Sequence, residues 1–253
     1  MTSSHRVALV TGGSRGIGRA IALALAADGC DVALSYVSDT DGAADTARAI
    51  EASGRRALAL CADLGAPDAA SALVDAVLDA WGHIDVLVNN AGVSSNDTLI
   101  ADTSPSAWAR IIDVNLNGTY HMVHAVVPHM RGRGGGHIVN LSSNVTQRMP
   151  PTFGAYTVSK AGIEALTRIL AKEEGPHGIH VNAIAPGPIA TDMLNGLLER
   201  MGAARAQAFV DSVPLRRIGR PEEIAAMVAM LVSSTASFVS GEVIYVNGGG
   251  PGG

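Results

Sequence analysis

The chain has 253 residues, enough to bury a substantial core, and 47% of them are hydrophobic while only 4% are aromatic. The formal net charge of −5, without a block of like charges, argues against a basic surface for nucleic acid. No apolar run approaches the roughly 18 residues of a membrane-spanning helix, and no signal-peptide pattern precedes the first strand, so we expect a cytoplasmic protein with no membrane contact.

The first half of the chain alternates between strand-like and helix-like segments. Strands are predicted at Val7–Thr11, Asp31–Tyr36, Ala57–Ala62 and Ile84–Asn89. Helices are predicted at Arg19–Asp28, Thr40–Ser53 and Asp68–Trp81. Strands and helices that alternate at short spacing are typical of right-handed βαβ units, which build a parallel sheet.

The second half continues the alternation with longer helices. One long helix is predicted at Ser104–Met130, bent near Pro128, and a glycine-rich turn at Arg131–Gly136. The remaining elements are a strand at His137–Ser142, a helix at Ala155–Glu174, a strand at Ile179–Ala185, a helix at Glu222–Leu231 and a strand at Val243–Val246. Since no repeat or linker interrupts this order, we expect a single α/β domain over residues 1–253. The segment at about 187–220 has no strand content and is predicted to be a partly helical lid.

A glycine-rich segment joins the first strand to the first helix. It reads Thr11-Gly12-Gly13-Ser14-Arg15-Gly16-Ile17-Gly18. Glycines let the backbone approach a pyrophosphate closely, and the helix N-terminus supplies N–H groups and a positive dipole. The segment therefore predicts a dinucleotide site, although a tight turn without a ligand would fit the same spacing.

With two further motifs, this segment resembles the short-chain dehydrogenase/reductase family over Val7 to Gly249. The two motifs are Asn89-Asn90-Ala91-Gly92 and Tyr156-x-x-x-Lys160. Shorter matches follow in order at Asp63-Leu64, Asn115-Leu116-Asn117-Gly118, Ser142-Ser143, Pro186-Gly187 and Val246-Asn247-Gly248-Gly249. The resemblance implies a Rossmann-type, doubly wound parallel sheet of about seven strands with helices on both faces. It also implies a homotetramer, and it is strongest to the 3-ketoacyl-acyl-carrier-protein reductases and similar carbonyl reductases.

Tyr156 and Lys160 are the predicted centre of the chemistry. When a hydride reaches a carbonyl carbon, negative charge develops on the oxygen, and a proton donor must stand within about 3 Å. The resemblance assigns this acid to Tyr156. Lys160 follows one helical turn later, so we expect its ammonium to approach the phenol and to lower the phenol's pKa. The resemblance also implies that Lys160 holds the nicotinamide ribose. The spacing alone would equally fit a surface pair.

Two polar residues complete the predicted catalytic set. Ser143 lies thirteen residues before Tyr156, the usual family separation, and this separation selects it over Ser142. Its hydroxyl can donate to the substrate oxygen as charge develops. Asn115 lies inside the predicted long helix although Asn is a mediocre helix former. The resemblance implies that it disturbs the helix and holds a water linked to the lysine; a core or capping amide is the alternative.

The remaining predicted cofactor contacts also come from the resemblance. The glycine-rich segment would supply Gly12, Ser14, Arg15, Gly16, Ile17 and Gly18. Other backbone and side-chain contacts would come from Asn90, Ala91, Gly92, Tyr156 and Lys160, with Asp63 and Leu64 beside the adenine. The nicotinamide would lie near Pro186, Gly187, Ile189 and Thr191.

The end of the second strand bears on the choice of nicotinamide. Tyr36 stands where an acidic residue would bind the ribose 2′-hydroxyl and select NAD. Arg15 could pair with a 2′-phosphate, and in the family a basic residue there goes with NADP. Asp39 and Asp41 come later and are predicted to cap a helix. The sequence therefore favours NADPH (NADP+), with NAD(H) as the alternative.

These features predict an NADPH-preferring oxidoreductase that reduces a carbonyl to a secondary alcohol, on a 3-ketoacyl thioester or a related ketone. An NAD-linked alcohol or sugar dehydrogenase of the same fold is one alternative. A non-catalytic NADP(H)-binding module is another, but it would predict damage at Ser143, Tyr156 or Lys160, and all three are intact.

An acyl carrier protein is a weaker candidate partner than a small molecule. Gly134 and His177 occupy the positions where the carrier-protein reductases commonly have basic residues, although Arg131 and Arg133 are nearby. No metal site is expected, because Cys30 and Cys61 are far apart and no Cys/His cluster occurs. Both cysteines are predicted to be reduced and buried.

Overall fold

The computed structural model describes residues 5–94 and 98–250. Its strands are β1 (Val7–Val10), β2 (Asp31–Tyr36), β3 (Ala57–Cys61), β4 (Val86–Asn89), β5 (Gly136–Leu141), β6 (Ile179–Pro186) and β7 (Val243–Val246). All pair in parallel, in the order β3-β2-β1-β4-β5-β6-β7. After β3 the chain returns past β2 and β1 to form β4, so the strand order reverses between the neighbouring strands β1 and β4. The predicted doubly wound parallel sheet is therefore confirmed.

Helices cover both faces of this sheet. They are α1 (Gly16–Ala27), α2 (Thr40–Ala52), α3 (Ala69–Trp81), α4 (Pro105–Ile112), α5 (Gly118–Arg133), α6 (Val145–Arg148), α7 (Gly154–Glu174), α8 (Asp192–Met201), α9 (Ala203–Ser212) and α10 (Pro221–Leu231). One core layer lies between the sheet and α1, α2 and α10, and the other between the sheet and α3, α5 and α7.

Strand β1 shows how the sequence divides between the two layers. Ala8 and Val10 face one layer, while Val7 and Leu9 face the other, and all four are fully buried. Side chains alternate across a strand, so a strand covered on both faces must be apolar at every position. The continuous apolar runs of the sequence have this cause.

The prediction of one helix over Ser104–Met130 is wrong. Helix α4 ends at Ile112, a π-helical segment occupies Asp113–Asn117, and α5 begins at Gly118. The extra residue per turn of a π segment lets a side chain point where a regular helix would not aim it. Pro128 lies inside α5 without ending it.

The predicted turn at Arg131–Gly136 is also too long. Helix α5 continues through Arg133, and β5 already begins at Gly136. Gly134 ends the helix in the left-handed conformation, with φ +83°. A Cβ at Gly135 would lie 2.9 Å from the Gly178 carbonyl oxygen. Two glycines are therefore enough to turn the chain.

Segment 187–220 contains two helices that the sequence did not resolve individually. Thr191 caps α8, with its hydroxyl accepting from the Leu194 N–H. Gly202, at φ +77°, separates α8 from α9. The short α6 after β5 was not predicted either, because a single turn has no periodicity to detect.

Cys30 is buried in the core, as predicted, but the predicted burial of Cys61 is wrong. Cys61 is the last residue of the edge strand β3 and is exposed, with its Sγ 3.3 Å from the Val37 carbonyl oxygen. Both cysteines are free. Residues 5–94 and 98–250 contain no group of three or more His, Cys, Asp or Glu placed to hold a metal. No helix in this part of the chain is long and apolar enough to cross a membrane.

Candidate active site

A cavity of about 1100 Å³ lies at the carboxyl ends of the strands. It extends across the crossover between β1 and β4, where open α/β sheets place their ligands. All the predicted cofactor contacts line it, and so do Ser143, Tyr156 and Lys160. Asn115 is the predicted site residue that does not.

The glycine-rich loop forms one wall of the cavity, and its glycines are sterically required. Gly12 has φ +67°, which L side chains rarely adopt. A Cβ at Gly18 would lie 2.1 Å from the Gly12 carbonyl oxygen. A side chain at Gly18 would push the loop away from the start of α1, and a Cβ at Gly12 would lie 3.1 Å from Asn90 Nδ2 and from the Ala91 Cα, in the segment after β4. The loop therefore keeps the backbone N–H groups of the helix N-terminus open to the cavity.

Asn90 ties this loop to the segment after β4. Its Nδ2 donates to the carbonyl oxygens of Thr11 and Gly12, at 2.9 and 3.1 Å. In return, the Thr11 hydroxyl accepts from the N–H groups of Asn90 and Ala91, both at 3.0 Å. Two cavity walls from different strands are thus joined by four hydrogen bonds.

Asn115 lies in the π-helical segment and is fully buried. Its Oδ1 accepts from the Val93 N–H at 2.8 Å, and its Nδ2 donates to the Val93 carbonyl oxygen and to Ser159 Oγ. These bonds use the amide to attach the segment after β4 to α7. The alternative of a core amide thus describes the side chain, and the predicted water link to Lys160 stays a prediction.

The two adjacent serines after β5 point in different directions. Ser142 is buried, and its Oγ donates to Glu164 Oε1 at 2.9 Å. The Ser143 side chain is hydrogen-bonded to the Tyr156 phenol, and this bond lowers the phenol's pKa. Ser143 is therefore the serine whose hydroxyl lies next to Tyr156.

The burial of Tyr156 and Lys160 dominates their electrostatics. Desolvation raises the pKa of Tyr156, and the bond to Ser143 opposes it without reversing it. Burial lowers the pKa of Lys160 to about 8. The Lys160 Nζ donates to the Leu141 carbonyl oxygen at 2.7 Å and lies 5.6 Å from the centre of the Tyr156 ring. The phenol's pKa is therefore raised rather than lowered in this arrangement, because desolvation outweighs the bond from Ser143; an effect of Lys160 on the phenol stays a prediction.

Two ion pairs border the side of the cavity formed by the glycine-rich loop and the end of β3. Asp63 is paired with Arg110, with 3.0 Å between Oδ2 and Nη2, and the hydrogen bond from Arg110 lowers the carboxyl's pKa. Arg15 is paired with Asp192, the first residue of α8. The sequence predicted neither partner, because each lies on a different element and far along the chain.

The opposite side of the cavity is apolar, and its two phenylalanines were not predicted from the sequence. Phe153 packs edge-on against Tyr156, with ring centres 6.5 Å apart. Across the cavity, Arg148 lies over the Phe209 ring at 5.8 Å. Aromatic residues are rare in this chain, yet two of its three phenylalanines line this cavity. That scarcity was the one signal in the sequence that could have pointed to them.

Known proteins resemble this chain over nearly its whole length. A family model described as Enoyl-(Acyl carrier protein) reductase matches residues 12–250. The 3-oxoacyl-acyl-carrier-protein reductase of Staphylococcus epidermidis is 38% identical over 245 residues, which cover 97% of this chain and 98% of that protein.

Two solved structures share both the fold and a substantial fraction of the sequence. A 7α-hydroxysteroid dehydrogenase complexed with NADH and 7-oxo glycochenodeoxycholic acid has a TM-score of 0.91 and 32% identity, covering 98% of this chain and 95% of that one. A blue fluorescent protein from a metagenomic library, in complex with NADPH, has a TM-score of 0.89 and 35% identity, covering 96% and 97%.

Proposed function

This chain belongs to the short-chain dehydrogenase/reductase family of oxidoreductases, and we propose that it reduces a ketone to a secondary alcohol with NADPH. The observation that carries the proposal is the hydrogen-bonded pair of Ser143 and Tyr156, which share one cavity with Lys160. The same cavity is lined by the glycine-rich loop. The proposed proton donor and the loop proposed to bind the dinucleotide thus line the same cavity.

The described residues fit a nicotinamide dinucleotide. Gly12 and Gly18 lack side chains where a Cβ would close the loop, so the backbone can lie against a pyrophosphate. Asp63 and Leu64 would border the adenine, and the residues after β6 would border the nicotinamide. The cofactor supplies the hydride, and the protein supplies orientation and the proton.

Tyr156 is proposed as the general acid, assisted by Ser143. Because desolvation raises its pKa, the phenol is protonated at neutral pH and can donate. As the hydride reaches the carbonyl carbon, the phenol's proton moves to the carbonyl oxygen. The Ser143 hydroxyl donates to the same oxygen and stabilises its developing charge. Lys160 is mostly protonated at pH 7 with its pKa of about 8, so its ammonium stabilises the resulting phenolate.

The preference for NADPH rests on charges around the adenosine ribose. Arg15 lines the cavity, and Tyr36 ends β2 where an acidic residue would bind the 2′-hydroxyl. Asp39 also lines the cavity, but its carboxylate caps α2 by accepting from the Gly42 N–H. The Asp39 carboxylate therefore serves as the cap of α2 and is not proposed to bind the ribose. NAD(H) remains the alternative, since the two solved relatives described above were found with NADH and with NADPH.

A small ketone is the proposed substrate class, with a 3-oxoacyl thioester as one member. Phe153, Met193, Leu197 and Phe209 line an apolar part of the cavity, and α8 and α9 are proposed as a lid over it. Two findings argue against a carrier protein as the partner. Arg131 is bonded to Glu174 at 2.5 and 2.7 Å, and Arg133 lies 3.7 Å from Asp85. These two arginines are thus already paired.

The test is to incubate the purified protein with NADPH and a panel of ketones, β-ketoesters and 3-oxoacyl thioesters, following NADPH absorbance. We expect turnover with at least one member and none with the Tyr156→Phe variant. A protein that binds NADPH but reduces no panel member, and oxidises none of the corresponding alcohols, would contradict the proposal. That outcome would favour a non-catalytic NADP(H)-binding module.

A further inference from the structure

A buried carboxylate lies directly behind the turn that carries Ser143. Glu164, one turn after Lys160 on α7, is 7% exposed. Three hydroxyl groups converge on it, two from the segment after β5 and one from β7. Ser142 Oγ lies 2.9 Å and Thr146 Oγ1 2.7 Å from Oε1, and Tyr245 Oη lies 3.1 and 3.3 Å from the two carboxylate oxygens. We name these four residues the Glu164 cluster.

The cluster holds the chain on both sides of Ser143. Ser142 precedes it and is bonded to Glu164. Thr146 follows it, and its N–H donates to the Ser143 carbonyl oxygen at 3.2 Å. Its hydroxyl lies 2.9 Å from that oxygen and 2.7 Å from Glu164 Oε1, so its one proton bonds the shorter contact, the carboxylate. Tyr245, on β7, lies 3.1 Å from the Thr146 hydroxyl. The main chain of Ser143 is thus held while its side chain is free to face Tyr156.

Removing a hydroxyl donor from the Glu164 cluster should displace the turn around Ser143. All three hydroxyls contact Oε1, and Oε2 lies 3.3 Å from Tyr245 Oη and 3.7 Å from Arg168 Nη2, so removing one hydroxyl weakens the solvation of the buried carboxylate and leaves space into which its neighbours shift. Burial raises the pKa of Tyr245, so its phenol is protonated and can donate at neutral pH. The residues able to move are those of the turn around Ser143, since Glu164 itself lies within the long helix α7.

We propose that Glu164 is a positioning residue for hydride transfer: through Ser142, Thr146 and Tyr245 it orients Ser143 toward the substrate oxygen. The inference rests on the proposed function, in which Ser143 donates to that oxygen. Glu164 does not line the cavity, so its effect must pass through Ser143. Its contribution is geometric, and a displacement of about 1 Å at a reacting group can cost on the order of 10²-fold in rate.

The first experiment measures single-turnover hydride transfer from NADPH to the fastest ketone of the panel, with NADPH affinity and thermal stability measured in parallel. Thr146→Val and Tyr245→Phe each remove one hydroxyl, and Glu164→Gln removes the charge. We expect transfer about 10-fold slower in each, with NADPH affinity unchanged. Thr146→Ser keeps the hydroxyl and should transfer hydride at the rate of the unmutated protein. Slow transfer by Thr146→Ser, or normal transfer by all three removals, would overturn the inference.

Glu174→Gln is the matched control. Glu174 lies on the same helix, is 2% exposed and is bonded to Arg131, but it does not line the cavity. This variant should lose stability and keep the transfer rate. If it slows transfer as much as Glu164→Gln does, the effect belongs to the stability of α7 and the inference is overturned.

A double-mutant cycle separates positioning from general damage. In a Ser143→Ala background, Thr146→Val and Tyr245→Phe should cause no further loss, because the hydroxyl they position is gone. A full additional loss would show that the cluster acts elsewhere and would overturn the inference. If Ser143→Ala alone transfers hydride at the normal rate, the proposed role of Ser143 fails first. If Ser143→Ala is slow while the cluster variants are normal, the positioning role alone fails.

Discussion

Arg15 of the glycine-rich loop and Asp192 of α8 form an ion pair across the mouth of the cavity, with 3.1 Å between Nη1 and Oδ2. The two side chains are 68% and 69% exposed, so the pair contributes little stability. It nevertheless connects the loop expected to hold the cofactor phosphates with the proposed lid. A 2′-phosphate that takes Arg15 would have to compete with Asp192.

Cofactor preference should therefore respond to both members of this pair. We expect Arg15→Ala to weaken NADPH binding by about 10-fold and to leave NADH binding nearly unchanged, because a charged hydrogen bond to phosphate is lost. Asp192→Asn should strengthen NADPH binding by about 1.5- to 5-fold, the amount expected from an exposed ion pair. Titration calorimetry with both cofactors measures this.

The control for the cofactor prediction is Arg19→Ala. Arg19 lies on α1, the helix that follows the glycine-rich loop. It is exposed and does not line the cavity, so its replacement should not change NADPH affinity. Tighter binding of NADH than of NADPH by the unmutated protein would refute the NADPH preference.

Tyr156 and Lys160 should fail in different ways. Tyr156→Phe keeps the ring that packs on Phe153 and removes only the hydroxyl, so hydride transfer should fall by about 10²–10⁴ while cofactor affinity barely changes. Lys160→Ala should lose both hydride transfer and cofactor affinity, since the Lys160 ammonium is also expected to hold the nicotinamide ribose. The double mutant should be little worse than the worse single, because the residues act as a unit.

Single-turnover kinetics with cofactor titration is the measurement for this pair. Tyr120→Phe is the control, because Tyr120 is half exposed on α5 and lies outside the cavity. Near-normal transfer by Tyr156→Phe would remove Tyr156 from the mechanism.

The buried ammonium of Lys160 should lower the free energy of unfolding. Its pKa of about 8 in the folded chain lies below its ordinary value of 10.5, because its ammonium is desolvated. Between pH 8 and 10.5 the unfolded chain therefore binds more protons at Lys160 than the folded chain does. The loss of folding stability caused by Lys160 is complete below pH 8 and disappears as the pH rises toward 10.5. Lys160→Met should raise the free energy of unfolding at pH 7 by on the order of 2–3 kcal/mol while abolishing activity.

Thermal unfolding between pH 7 and 10 checks the Lys160 prediction. The gain of Lys160→Met over the unmutated protein should shrink as pH rises, and Lys172→Met, at an exposed position of the same helix, should show no gain. A Lys160→Met variant with a lower Tm than the unmutated protein at pH 7 would contradict a desolvated lysine.

The homotetramer stays a prediction, with a testable surface. Val158 and Ile169 on α7 and Tyr120 on α5 are about half exposed, and helices of this kind would pack against their copies across two-fold axes. We expect light scattering at micromolar concentration to give the mass of four chains. Val158→Glu with Ile169→Glu should shift that mass toward dimers or monomers, whereas Leu215→Glu, in the loop after α9, should not. A monomer mass for the unmutated protein would refute the assembly.

The seven strands of the sheet and the residue types of the site could be predicted from the amino-acid sequence alone. Apolar runs separated by glycines predicted a parallel sheet because a strand buried on both faces must be apolar throughout. The thirteen-residue step from Ser143 to Tyr156 and the four-residue step to Lys160 are local distances along the chain. The glycine-rich loop needed its glycines for reasons of backbone sterics alone, so it was predictable before any tertiary contact was known.

The surroundings of these residues depend on contacts between elements that are distant in the chain. The bonds of Asn115 to Val93 and Ser159, the pairing of Arg15 with Asp192 and the bond of Tyr245 to Glu164 are examples. The direction of the Tyr156 pKa followed burial rather than the neighbouring lysine. The physical reason is common to all of them. Desolvation and hydrogen bonding depend on which distant elements pack against a side chain, and no local spacing encodes that.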